Sequence, residues 1–506
     1  MSEERRPAAE LRGIDKRFGP IRANRSISLS LARGSIHGLI GENGAGKSTL
    51  AQILYGYLLP DAGEIRVAGR PIAFRTPRDA IAAGIGMVHQ HFMLVEPMTV
   101  LENLMLGCEA GPTLAAGRAA ARATLARLDR RDGSSLDPEA PVETLPVGLK
   151  QRVEILKALH RGAEILILDE PTAVLTPLET RALFGELRSL AASGKTILLV
   201  THRLREVMEV TDTVTVLRQG EVVAERPTRE TTPSELAALM IGRAPAPPSR
   251  TPARSGPRRL EVRDLTVRDG LGIARLDRVS LTLRAGEIVA VAGVAGNGQS
   301  ELIEALVGTM PPSAGSLRLD GIELTGLTVA ERRRRGLGHI AEDRLRLGAI
   351  AGFSAGENAL LGRQQERQFT GGGFIRKAAT AAAAAAQMGA YDVRPVEPER
   401  RFALFSGGNQ QKLVVARELE RKPAVLIAGQ PTRGVDIGAA ELIHRRLLAL
   451  RDAGGAVLLV SADLEEIRLL ADRILVLCGG RIAGELTPET ADERRLGLLM
   501  AGAAAA

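Results

Sequence analysis

Residues Gly41-Glu42-Asn43-Gly44-Ala45-Gly46-Lys47-Ser48 fit the pattern G-x-x-x-x-G-K-[ST], and Thr49 continues them. An apolar run, Ile36 to Gly41, precedes the loop and a helical pattern follows it. In that context glycines let backbone N–H groups curl round phosphate oxygens at a helix N-terminus. Lys47 then reaches the β- and γ-phosphates, and the Ser48 hydroxyl ligates Mg²⁺. An ordinary glycine turn is the alternative, and the residues that follow argue against it. Asp169-Glu170 closes the apolar run Ile165 to Leu168. A strand-end aspartate can hold a metal, and its neighbour can polarise an attacking water. His202 follows the next apolar run, Ile197 to Val200, where an imidazole can contact a γ-phosphate. Each of these residues alone has a plain structural reading, as does Gln90. Their order and spacing together point to hydrolysis of a nucleoside triphosphate.

The elements that must position these residues are written twice. Ile36 to Gly41 matches Ile288 to Gly293, an offset of 252 (293 − 41), and Gly86 to Gln90 matches Gly338 to Glu342 at the same offset. Gly148 matches Gly408, Pro171-Thr172 matches Pro431-Thr432, and Thr201-His202 matches Ser461-Ala462, all at 260 (408 − 148). Two constant offsets separated by one small insertion mean duplication. Each half, at roughly 250 residues, is long enough to bury about three quarters of its surface. The halves are expected at 1–243 and 259–506. Between them, 244–258 is proline-rich and reads as an extended linker. Within each half, short apolar runs alternate with helical stretches such as Leu178 to Ala192, so the class is α/β with buried parallel strands. Ala378 to Ala386 reads as plain alanine helix.

These residues make the chain similar to the ATP-binding-cassette (ABC) ATPases over nearly its whole length. The resemblance implies two tandem P-loop NTPase domains, each with a RecA-like core, an antiparallel β subdomain and a helical subdomain. It places Phe18 where the family stacks an aromatic ring on adenine, and Gln90 in the Q-loop. Asp169 and Glu170 become the Walker B pair and His202 the switch histidine. ATP would contact Phe18, Gly41, Glu42, Asn43, Gly44, Ala45, Gly46, Lys47, Ser48, Thr49, Gln90 and Asp169. Ser48, Gln90 and Asp169 would surround Mg²⁺, and Glu170 and His202 would be catalytic. The family's signature, L-S-G-G-Q, appears in the second half as Phe405-Ser406-Gly407-Gly408-Asn409.

The two halves depart from that pattern in complementary ways. The second loop reads Gly293-Val294-Ala295-Gly296-Asn297-Gly298-Gln299-Ser300, with Gln299 in place of lysine. Gly429-Gln430 replaces the Walker B pair, Ala462 the histidine and Glu342 the Q-loop glutamine. The first half has the poor signature, Leu145-Pro146-Val147-Gly148-Leu149, where Pro146 removes a hydroxyl and a backbone N–H. In the family two cassettes pack head to tail, each ATP lying between the P-loop of one and the signature of the other. On that resemblance every loss falls on one composite site. The other keeps the first-half P-loop together with Ser406, Gly407, Gly408, Asn409 and Asp436 acting in trans.

Composition narrows the partners. No apolar run approaches the ~18 residues that a spanning helix needs. The first thirteen residues carry charges and no apolar core, so no secretion signal is expected. Two cysteines, Cys108 and Cys478, allow no disulfide framework and no cysteine zinc site. Net charge is +8 with pI near 9.9, which permits nucleic acid as partner without requiring it, and the scarcity of aromatics (2%) argues against base stacking. The run Arg332 to Arg335 reads as a solvated helix face rather than an anion patch. Phe92, Met93, Leu94 and Met98 read equally as core of the helical subdomain or as an adaptable surface for a partner helix.

Fused cassettes of this layout resemble the ATPase subunits of bacterial nucleoside and simple-sugar importers. His89 to Val100, Gly293 to Leu302 and Ile427 to Gly434 are similar to the nucleoside branch. That resemblance implies two integral-membrane permease subunits as partners, an extracytoplasmic solute-binding protein as an indirect one, and a place on the cytoplasmic face of the cell membrane. No nucleic acid is expected. A soluble twin-cassette factor acting on ribosomes is the rival; such factors keep both sites intact.

Overall fold

The computed structural model describes residues 6–19, 21–90, 92–108, 114–129, 136–172, 175, 177–244, 255–294, 296–500 and 502. His91, Ala295 and most of the proline-rich stretch lie outside them. Two compact units divide the chain, Met1–Pro245 and Ala246–Ala506.

The first unit is built on a six-stranded sheet. Across it run the strands Glu221–Pro227, Thr213–Arg218, Ile36–Gly41, Thr196–Thr201, Ile165–Asp169 and Ile85–Val88. All are parallel except the first, which pairs antiparallel with Thr213–Arg218. The central strands are buried along their whole length and mostly apolar because both faces are covered. In the strand Ile165–Asp169, Ile165 and Ile167 face one core, and Leu166 and Leu168 the other. The first core is closed by an antiparallel sheet, ordered Ile21–Leu31, Ala9–Phe18, Ala62–Val67, Arg70–Ile72, through Leu11, Ile14, Ile27 and Leu29. The second is closed by the helices Val147–His160 and Pro177–Ala192, through Ile155, Phe184 and Leu187. A smaller helical subdomain has its own core, where Val100, Leu101 and Leu104 meet Ala121, Leu125 and Val153.

The second unit repeats this architecture. Its mainly parallel sheet runs Leu337–Ile340, Val425–Gly429, Ala456–Val460, Ile288–Ala292, Arg473–Cys478, Arg481–Leu486, with the last strand antiparallel. A four-stranded antiparallel sheet and the helices Ala355–Leu360, Lys377–Ala390 and Gly407–Leu419 complete it. The alanine-rich stretch is the helix Lys377–Ala390, as its propensity suggests.

One sequence expectation is corrected here. Of the run Arg332 to Arg335, Arg334 and Arg335 are exposed, as a solvated face requires, but Arg332 and Arg333 are not. Arg332 is fully buried and donates to the carbonyls of Ala305, Leu306, Thr325 and Leu327. Arg333 is largely covered and pairs with the buried Glu418 carboxylate at 2.9 Å. Charge counting along a sequence misses this because carbonyl oxygens at loop and helix ends accept from a guanidinium as readily as water does.

Candidate functional site

The loop Gly41 to Lys47 leaves the C-terminal end of the strand Ile36–Gly41 and runs into the helix Lys47–Leu54. Its glycines are required sterically. Gly46 has φ +101° and packs on the Ala23 carbonyl, so a Cβ there has no room; Gly41 packs likewise on the Leu217 carbonyl. Ala45 N–H turns back to Glu42 O at 3.0 Å. Asn24, fully buried, donates to Gly46 O at 3.1 Å and fixes the loop against the antiparallel sheet. Sequence reading missed Asn24; a buried polar residue inside a strand was its signal.

Lys47 is 5% exposed, and its ammonium donates to Gly41 O (2.7 Å) and Glu42 O (3.0 Å), inside the turn of the loop. Ser48 Oγ donates to Asp169 Oδ1 at 3.3 Å, which brings the two expected Mg²⁺ ligands together. Thr49 is half-buried beside them. Glu170 Oε1 lies 2.8 Å from His202 Nδ1, and Gln90 Nε2 donates to Glu170 Oε2 at 3.1 Å. Residues from three strand ends thus meet at one carboxylate. Phe18 stands at the end of its strand, 46% exposed, with the Lys16 ammonium 5.7 Å from the ring centroid.

Electrostatics distinguish the adjacent acids. Burial pushes the Asp169 carboxyl above its ordinary value, and the Ser48 hydrogen bond only partly opposes this. Burial also pushes Glu170 up, but the His202 hydrogen bond, and the charges of His202, Lys47 and Arg203, outweigh it and hold that carboxyl below its ordinary value. Glu170 is therefore an ionised acceptor. It sits at φ +49°, a left-handed conformation costing a non-glycine residue roughly 1–3 kcal/mol, fixed by its N–H bonding Val200 O at 2.8 Å. Behind it, the buried Glu206 accepts from Thr172 and from Thr201 Oγ1 (3.0 Å), tying the segment after the carboxylate pair to the strand carrying His202. Sequence reading missed Glu206 as well.

The second unit keeps this backbone but carries different side chains on it. Gln430 holds φ +45° and bonds Val460 O through its N–H at 2.7 Å, but its side chain accepts from Ala462 N–H. The Gln299 amide folds back against Gly293. Where Asp169 stands in the first unit there is Gly429, and the Glu342 side chain fills that space: a Cβ on Gly429 would lie 2.6 Å from Glu342 Cγ. Glu342 then accepts from Ser300 Oγ at 2.7 Å. One carboxylate near the loop serine survives, carried by a different strand.

The signatures differ in the same local way. Ser406 caps the helix Gly407–Leu419, and Asn409 Nδ2 donates to its Oγ at 3.0 Å and to Arg394 O at 2.9 Å. Asp436 caps the helix Ile437–Asp452 through Ala439 N–H, and its other oxygen faces Gly408. In the first unit Pro146 caps its helix with no side-chain bond. The apolar cluster after Gln90 is divided: Leu94 packs on the helical-subdomain core, whereas Met93 is 60% exposed. Among the described residues no helix is long and apolar enough to cross a membrane.

The chain is similar to known proteins along most of its length. The ABC transporter family model matches residues 24–173 and again 276–433. A guanosine import ATP-binding protein of Bacillus subtilis, NupO, is 45% identical, with 97% of each chain covered. A glucose import ATP-binding protein of Haloferax volcanii, TsgD13, is 43% identical over 98% of this chain and 96% of its own. An archaeal ribosome recycling factor, solved with a ribosomal stalk protein, matches 92% of this chain and 87% of its own with a TM-score of 0.59; at 18% identity this is a likeness of fold. Matched twice by the family model and by such relatives nearly end to end, the chain belongs to the ABC transporter family as a two-cassette, ATP-hydrolysing subunit.

Proposed function

We propose that this subunit energises a nucleoside importer with one catalytic and one degenerate ATP site. The carrying observation is the sorting of losses between the units. The first holds Lys47, Ser48, Asp169, Glu170 and His202 within hydrogen-bonding networks around one loop. The second keeps the loop serine, Ser300, and has Gln299, Gly429, Gln430 and Ala462 at the other four positions, but it carries a capped signature, Ser406 to Asn409, which the first lacks. We assign Glu170 as the residue that polarises the attacking water, His202 as its partner at the γ-phosphate, and Ser48, Asp169 and Gln90 as the surroundings of Mg²⁺. The second unit's signature and Asp436 act on the ATP held by the first unit's loop. Each intact part then serves the same nucleotide.

The residues present fit Mg²⁺: a hydroxyl and a carboxylate meet at 3.3 Å, oxygen donors of the hard type that ion prefers, and the Gln90 amide bonds the adjacent Glu170. When bound, the ion neutralises charge on the β- and γ-phosphates. Lys47 would add to that neutralisation, and the loop N–H groups would orient the terminal phosphate.

Nucleosides as cargo, and a permease pair at the cytoplasmic face of the membrane, are supported by the similarity to a guanosine import ATP-binding protein and by the segments His89 to Val100 and Ile427 to Gly434. The glucose-importing relative supports a sugar as the second reading. Exposed Met93 and, in the second unit, Leu345 and Leu347 follow the strands bearing Gln90 and Glu342 and offer apolar contact to a permease. Reconstitution with the cognate permease and solute-binding protein tests the assignment. Nucleoside-loaded binding protein should stimulate phosphate release, and sugar-loaded binding protein should not. Stimulation by ribose or glucose alone would overturn the cargo, and no stimulation by any solute would overturn the importer reading.

A further inference from the structure

We propose that Arg344 is a positioning residue for the signature loop of the second unit. It rests on the reading that this signature serves the first unit's ATP. Arg344 opens a π turn, Arg344–Gly348, whose start is fixed by Asp343 accepting from the N–H groups of Leu345 (2.9 Å) and Arg346 (3.0 Å). Such single π turns concentrate at functional sites. Its guanidinium joins three segments. Nε donates to Gln410 Oε1 at 3.2 Å, and Nη1 donates to Arg433 O at 3.1 Å, three residues before Asp436. Nη2 lies where Gly407 leaves space, 2.6 Å from the position a Cβ would take. Gln410 passes the constraint on: its amide donates to Phe402 O and Phe405 O, the latter adjoining Ser406. One planar, multiply donating group therefore contacts both the signature helix and the loop that leads to Asp436.

The first unit joins the corresponding segments by a different contact, Lys150 Nζ donating to Glu96 Oε1 at 3.2 Å on the exposed surface. From Gln90 to Thr99 is nine steps, whereas from Glu342 to Ser354 is twelve, so the second unit is three residues longer there, and the π turn occupies that stretch. No arginine occurs between Gln90 and Thr99. Lys150 stands at the place of Gln410 and Val147 at that of Gly407 (410 − 150 and 407 − 147, both 260). The arginine, its acceptor and the glycine that admits it occur together, in the half whose signature is intact.

The test is steady-state ATPase of the reconstituted transporter, alongside the dissociation constant of a fluorescent ATP analogue for the first unit's loop. Gln411, whose amide donates to Pro431 O at 2.8 Å, still ties the helix to the loop when Arg344 is cut back. Arg344→Ala should lower kcat about tenfold, a change of ~1.4 kcal/mol, with the dissociation constant within about twofold. Arg344→Lys, whose single nitrogen lacks the planar fork that reaches Gln410 and Arg433 from separate nitrogens, should recover only part of the rate. Gly407→Ala displaces the guanidinium, so its loss and that of Arg344→Ala should not add in the double variant. A kcat within twofold of the parent for Arg344→Ala, while Ser406→Ala is inactive, overturns the proposal and spares the composite site. Full activity of Ser406→Ala removes the composite site and the proposal with it. Additive losses in the double variant, or a loss of binding matching the loss of rate, reduce Arg344 to a packing residue and also overturn it.

Discussion

Glu170→Gln separates chemistry from structure more cleanly than any other change in this chain, because the second unit already carries it. Gln430 occupies the matching position with φ +45° against +49°, and its N–H bonds the neighbouring strand at 2.7 Å against 2.8 Å. The left-handed backbone is thus compatible with glutamine, and the substitution should cost little stability. What changes is charge. Glu170 is held ionised by His202 at 2.8 Å, against a burial effect that pushes the other way, whereas an amide cannot take a proton at neutral pH. Positioned general bases contribute roughly 10²–10⁴-fold, or about 2.7–5.4 kcal/mol of activation free energy. Phosphate release by the assembled transporter should fall by at least ~10²-fold. ATP binding should persist, since Lys47, Ser48 and Asp169 are untouched. A variant that keeps most of its rate removes Glu170 from the water-activating role, and one that loses ATP binding shows that the residue holds the loop instead.

Four further outcomes follow from the same geometry. Lys47→Ala should weaken nucleotide binding itself at least tenfold, measured by equilibrium titration; one phosphate-facing charge at ~4 Å is worth up to about 4 kcal/mol at an effective dielectric of 20 before solvent screening. His202→Ala removes the leading influence that lowers the Glu170 carboxyl, so its titration should move upward and the acid limb of residual hydrolysis should shift to higher pH; an unmoved limb in the pH–rate profile contradicts this. Gly408→Asp should impair turnover at least ten times more than Gly148→Asp when both are assayed at saturating ATP, with like-charge repulsion at the γ-phosphate as the cause. Each glycine already faces a carboxylate of its own unit, Asp436 or Glu179, so local repulsion is common to both variants. Gln299→Lys should not add a second turnover site, because Gly429, Gln430 and Ala462 still lack the metal carboxylate, the base and the imidazole; a doubled number of sites per chain would refute it.

The duplication, the α/β layering and the composition of the first nucleotide loop were legible in sequence because they depend on local pattern. A glycine-rich loop between an apolar strand and a helix has few folded outcomes, and strand-end acids are fixed by the strand's register. What escaped depends on contacts between segments far apart in sequence. Asn24 under Gly46, Glu206 behind the catalytic pair, and Arg344 among three loops all serve a site from outside its motifs. The migration of a carboxylate from the Asp169 position to Glu342 is invisible to motif comparison, which records two unrelated losses where the structure has one side chain filling another's space. Burial of Arg332 within the arginine run escaped for a simpler reason: a count of charges says nothing of buried carbonyl oxygens.

The central claim is one turnover site per chain, made from the first unit's loop and the second unit's signature. Trapping Mg-ADP with vanadate in the reconstituted transporter, and counting nucleotide retained per chain, tests it directly. One nucleotide per chain, lost in both Lys47→Ala and Ser406→Ala, is the expected result. Two per chain, or one that survives Ser406→Ala, would contradict it.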